Sequence, residues 1–91
     1  MLLLVVSNID SVYNFVVKSL KLNPKTTTYK VDTIGINLYQ FSIIILDKKQ
    51  NLSKINENIK KLGLETKILS NEVKELKTFS NKDSIFINFK I

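Results

Sequence analysis

The segment from about Ile36 to Leu46 constrains this chain more than any other part of it. Tyr39, Phe41, Ile43 and Ile45 alternate there with Leu38, Gln40, Ser42, Ile44 and Leu46. Successive side chains of a strand emerge on opposite faces of the sheet, so these are two separate surfaces. The first is wholly apolar; the second is mixed at its start and apolar at its end. A strand of this kind belongs inside a sheet, under a hydrophobic layer. With 91 residues the chain supports one such layer, hence one domain over 1–91. Its composition, 44% hydrophobic and 24% charged, is that of a globular domain rather than a disordered one.

The remaining elements follow from spacing. Leu2 to Val6 is a short continuous apolar run ended by Ser7 and Asn8, which reads as a central strand covered on both faces. Ser7, Asn8 or Asp10 then caps a helix in which Ile9, Val12, Val16 and Leu20 recur at helical spacing and Tyr13, Phe15 and Val17 widen the apolar face. Asn23-Pro24 stops it. From Thr26 to Thr33 a strand points Tyr29, Val31 and Thr33 one way and Thr28, Lys30 and Asp32 the other, with Gly35 placed for a hairpin turn. A second helix is capped by Asn51 or Ser53, carries the stripe Leu52, Ile55, Ile59 and Leu62, and ends at Gly63. Glu65 to Ser70 reads as a fourth strand. Residues 71–91 read as a C-terminal extension beyond a core of residues 1–70. Asn71 to Phe79 is either a helical turn (Val73, Leu76, Phe79) or a polar edge strand; a hairpin about Ser80–Asp83 is favoured, its last strand alternating Ile85, Ile87, Phe89 and Ile91 with Phe86, Asn88 and Lys90.

Strand, helix, hairpin, helix, strand is the β-α-β-β-α-β pattern of the ferredoxin-like α+β sandwich. Both helices would lie on one face of an antiparallel sheet, with the first and third strands at its centre.

Residue types narrow the chemistry. The chain has no Cys and no His, and all 14 of its basic residues are lysine. Disulfides, thiolate or imidazole nucleophile pairs, structural zinc, haem and iron–sulfur clusters therefore lack their ligands or bases, so no metal or cofactor is expected. Glu72 and Glu75 are close in sequence but sit in a polar segment, as a hydrated surface pair rather than a tuned acid and base. Only two glycines are present, and no phosphate-cradling loop can be drawn. The expectation is that the protein is not an enzyme. The apolar opening is too short for a membrane span and has no preceding cation, so a cytoplasmic location is expected.

Net charge is +6, but evenly spread: residues 1–50 hold six Lys against three acids, and residues 51–91 hold eight against five. Lys48, Lys49 and Lys54 flank the start of the second helix and are the candidate nucleic-acid contacts. Any such contact would be sequence-nonspecific and salt-dependent, because arginine's bidentate fork is missing. Stacking on bases by outward aromatics is not expected, since Tyr39 and Phe41 share the core face with Ile43 and Ile45. The face of Leu38, Gln40, Ser42, Ile44 and Leu46, beside the first strand, is too apolar to stand bare in water and is the candidate interface. A protein partner is expected there, as a homodimer or a related subunit.

Two family resemblances bear on function. Leu3-Leu4-Val5-Val6-Ser7-Asn8, then Val17-Lys18-Ser19-Leu20 and Asn23-Pro24, followed by two strands and a helix, resembles the small dimerising subunit of the KEOPS tRNA-modification complex and its archaeal paralogue over roughly residues 2–62. That resemblance implies a non-catalytic subunit that pairs with a like subunit in an RNA-associated, tRNA-modifying assembly. Residues 51–68, after a first strand ending Ser7-Asn8, resemble ACT regulatory domains, which bind amino acids at a dimer interface. The loop at Ser7–Ser11 lacks the glycine such a site uses. A third reading is a small viral or mobile-element protein that inhibits a host factor by binding it.

Overall fold

The computed structural model describes residues 2–36, 38–64 and 74–90, with side chains described from Ile9 onward and without that of Lys74. The elements are helix α1 (Leu2–Ser19), strands β1 (Thr27–Gly35) and β2 (Leu38–Ile45), helix α2 (Leu52–Lys61), and strands β3 (Lys74–Ser80) and β4 (Ile85–Lys90). Two helices and a four-stranded antiparallel open sheet make an α+β domain.

α2 forms where capping and stripe coincide. The Asn51 side chain accepts the Lys54 N–H at 2.8 Å, Ile55 and Ile59 are buried, and Gly63 takes φ +62° to turn the chain so that Leu64 folds back into the core. α1 ends by the same geometry without the glycine. Lys21 sits at φ 54°, the Leu22 N–H reaches the Val17 carbonyl at 2.9 Å, and the Lys21 N–H reaches the Lys18 carbonyl at 3.3 Å. Leu22 is buried as a result.

The strand expected at Leu2–Val6 is instead the first part of α1. A run of five apolar residues has no periodicity of its own, so it is equally a buried strand or a stretch of helix. Leu2 and Val5 also fall in the spacing of Ile9, Val12, Val16 and Leu20, so one helical repeat extends from Leu2 to Leu20. No helix among the described residues is long and apolar enough to cross a membrane.

The sheet order is β1-β2-β4-β3. β2 and β3 each pair antiparallel with β4, so they run parallel to one another, joined through α2 with β4 between them. The described element order is therefore not β-α-β-β-α-β. In the expected sheet the N-terminal strand sits at the centre beside the strand that begins with Leu38. Here β4, at the other end of the chain, holds that place. Moving one strand from head to tail converts one order into the other. Of the stretch read as a C-terminal extension, β3 and β4 are described, and Ile85, Ile87 and Phe89 of β4 are buried in the core. The strand expected over Glu65–Ser70 lies outside the described residues.

One side of the sheet carries both helices. Ile9, Val12, Val16 and Leu20 of α1 and Ile55 and Ile59 of α2 bury against Phe41, Ile43, Ile45, Ile85, Ile87 and Phe89. α1 lies over β1, where the Tyr13 and Tyr29 rings are 4.8 Å apart and the Tyr13 hydroxyl donates to the Thr27 carbonyl at 2.8 Å. α2 lies over β3, where the Thr78 hydroxyl donates to Asn56 Oδ1 at 2.6 Å.

Candidate functional site

The register fixes what the uncovered side presents. β2 places Gln40, Ser42 and Ile44 there; Ser42 pairs with Asn88 and Ile44 with Phe86 of β4; and Asn88 and Phe86 pair in turn with Lys77 and Phe79 of β3. Thr28, Lys30 and Asp32 continue the surface onto β1. Two zones result.

The first is apolar. Phe79 and Phe86 stack nearly parallel, with ring centroids 4.8 Å apart and planes 8° from coplanar, next to half-buried Ile44. Phe79 remains 44% exposed, and Leu46, just past the end of β2, remains 49% exposed. An aromatic pair of this kind stabilises its own hairpin by about 0.5–1.5 kcal/mol, yet leaves one ring in water. The second zone is polar: Gln40, Glu75, Lys77, Asn88 and Lys90 line a hollow of about 180 Å³. Lys90 Nζ lies 3.1 Å from the Glu75 carboxylate and holds the Glu75 pKa below its ordinary value, by hydrogen bonding first and charge second. Glu75 is the extra residue where the β3–β4 register shifts, with φ 51°. On β1, Lys30 and Asp32 lie 3.6 Å apart. Lys77 takes part in no ion pair among the described residues.

Of the residues expected at the interface, Gln40, Ser42 and Ile44 lie on this open face. Ser42 is 1% exposed, closed over by its neighbours, and Gln40 is half-buried. Leu38 is exposed at the far end, across the polar zone from Ile44. The five do not form one patch. The structure joins Ile44 instead to Phe86 and Phe79, whose pairing depends on which strand becomes the neighbour of β2. One local signal was available: Phe79 and Phe86 stand symmetrically about the Asn81–Ser84 turn, closed by the Asn81 N–H donating to the Ser84 carbonyl at 3.0 Å. Tyr39 and Phe41 of β2 face the helices as expected, and the outward aromatics come from β3 and β4.

Of the lysines flanking α2, one lines a groove. Lys48 lines a groove of about 430 Å³ between the β2–α2 loop and the β3–β4 turn, whereas Lys49 and Lys54 lie outside it. Asp47, Lys82 and Asp83 also line the groove, so its two lysines are matched by two acids. The N–H groups an anion would use are partly taken: Asn51 accepts from Lys54, and Asp47 Oδ1 accepts from Lys49 at 2.9 Å. This is a capped helix start rather than an anion cradle.

At the opposite edge, the Tyr29 hydroxyl donates to Asp10 Oδ1. That hydrogen bond, with burial and the Asp10 charge, raises the Tyr29 pKa, and burial raises that of Tyr13. These phenols buttress α1 on β1. Comparison with known proteins assigns none of these features: no family model, no curated protein and no solved structure matches the chain.

Proposed function

We infer that this chain is a non-catalytic interaction subunit that takes a partner protein on its open sheet face. The observation that carries the reading is the Phe79–Phe86 stack beside Ile44, on the side of the sheet that neither described helix covers. Phe79, on the edge strand β3, leaves apolar surface in water that is favourable to bury, at about 25 cal/mol per Å². Beside it, Lys77 offers a cation that a partner's carboxylate can meet. The fitting partner offers one apolar side chain for the phenyl pair and an acidic side chain next to it. An accessory place in an RNA-associated assembly, which the KEOPS resemblance implies, would use the face in the same way. The test compares faces: chains carrying Phe86→Asp should lose a partner that the wild type and Lys60→Glu, on the exposed side of α2, both retain in native extract. Equal retention by all three removes the reading.

A second reading has its own observation. Outward phenyl rings next to Lys77 are the parts from which single-stranded RNA platforms are built, bases stacking on rings and phosphates meeting cations. It expects binding to short single-stranded RNA that Phe86→Ala weakens and that falls steeply with salt. Binding that ignores Phe86 contradicts it.

A further inference from the structure

β1 is an edge strand, paired on one side only among the described residues. From Lys30 to Gly35 it is exposed throughout, and Val31, on the helix-facing side, is 41% exposed. Backbone bonding decides what this edge can accept. The Leu46 N–H donates to the Thr26 carbonyl at 2.8 Å, which makes Thr26 and Leu46 a hydrogen-bonded pair at the start of the ladder. Such pairs alternate with open ones, so Thr28, Lys30 and Asp32 turn their N–H and C=O groups to β2. Thr27, Tyr29, Val31 and Thr33 turn theirs outward. The Tyr13 hydroxyl bound to the Thr27 carbonyl confirms the phase, since that carbonyl points away from β2.

We propose that β1 pairs antiparallel with β1 of a second copy about a two-fold axis at Val31, joining two four-stranded sheets into one. An antiparallel ladder must match outward-facing residues with outward-facing residues, and this leaves few registers. Centring on Lys30 sets Lys30 against its own copy, and centring on Asp32 sets Asp32 against its own copy; both place like charges directly opposite. Centring on Val31 pairs Val31 with Val31 and Tyr29 with Thr33 through outward backbone groups. It also sets Lys30 of each chain against Asp32 of the other in the open pairs, where side chains approach most closely. The strand is regular over this stretch, because its irregularity falls beyond Thr33. At the other end the Thr27 carbonyl, already satisfied by Tyr13, terminates the ladder.

Lysine on an edge strand ordinarily discourages edge-to-edge pairing. Here Asp32, two residues on and on the same face, turns that guard into a self-complementary code. Both open faces then lie on the same side of the joined sheet, with one Phe79–Phe86 stack toward each outer end of it. β1 pairing does not depend on what those stacks bind.

The test is a charge swap read by sedimentation equilibrium. Lys30 and Asp32 are solvent-exposed, so their reversal should leave the circular dichroism spectrum unchanged. The wild type should form a dimer. Lys30→Asp alone and Asp32→Lys alone should each weaken it about tenfold or more, by setting like charges opposite twice. The double swap Lys30→Asp/Asp32→Lys should restore it. Val31→Cys, in a chain with no other cysteine, should oxidise to a covalent dimer, whereas Lys60→Cys should not. A monomeric wild type overturns the proposal, as does a dimer unmoved by the single reversals. A dimer dissolved by Phe79→Glu but not by Asp32→Lys would place the interface on the open face and equally overturn it.

Discussion

Lys21 holds a backbone conformation that favours glycine, and holds it because the turn after α1 must deliver Leu22 into the core. A left-handed conformation costs an L-residue roughly 1 kcal/mol that glycine does not incur. Lys21→Gly should therefore stabilise the domain by about 0.5–1 kcal/mol in urea unfolding. Gly63→Ala, at φ +62°, should destabilise it by a similar amount. The ionisable residues set a second expectation. The Tyr29 and Tyr13 pKa values are raised in the fold, so the stability these phenols contribute is complete below their unfolded value of about 10 and lost as pH rises through the folded values. Tyr29→Phe should reduce that alkaline loss in urea titrations above pH 10. Glu75 acts with the opposite sign: its lowered pKa gives stability present above its unfolded value and lost as pH falls through the folded one. Because Glu75 is exposed, that loss should be small and should shrink in salt.

At the scale of elements, reading from sequence succeeded where a local pattern was complete. α2 has its cap and terminating glycine and buries Ile55 and Ile59 of its stripe, although Leu62 at its end stays 42% exposed, and β2 has its alternation; each was legible because a few neighbouring residues specify it. Leu2–Val6 failed because five apolar residues in a row carry no period. Their period shows only when Leu2 and Val5 are counted with Ile9, Val12, Val16 and Leu20, and the central place in the sheet expected for them is held by β4. The open face was half legible. Ile44 could be read, but its neighbours Phe86 and Phe79 depend on strand order, and Leu38 fell on the far side of a polar zone. The two sides of the sheet should answer mutation differently. Ile59→Asp places a charge in the helix-covered core and should cost 3 kcal/mol or more (an order-of-magnitude figure), enough to unfold a domain of this size. Ile44→Asp lies on the open side, half-buried, and should cost less, leaving a cooperative thermal transition while weakening association.

At the scale of the molecule, one of the two central strands, β4, is the last described element of the chain. Loop tips tolerate relocated termini. A permutant opened in the exposed Asn81–Asp83 turn, with Lys90 joined to Leu2 by a flexible linker, should keep the sheet and a single cooperative transition. Loss of that transition would mean that the order of synthesis matters to the fold. Among the described residues the helices occupy one side of the sheet, and β3 and β4 bring two phenyl rings and Lys77 together on the other. The most direct measurement places a photoreactive phenylalanine analogue at position 79 and, as control, at position 57 on the exposed side of α2. Irradiation in native cells should give a discrete crosslinked protein from position 79 that disappears with Phe86→Asp and is absent from position 57. The same product from both positions, or one indifferent to Phe86, would contradict an interaction subunit that works through its open face.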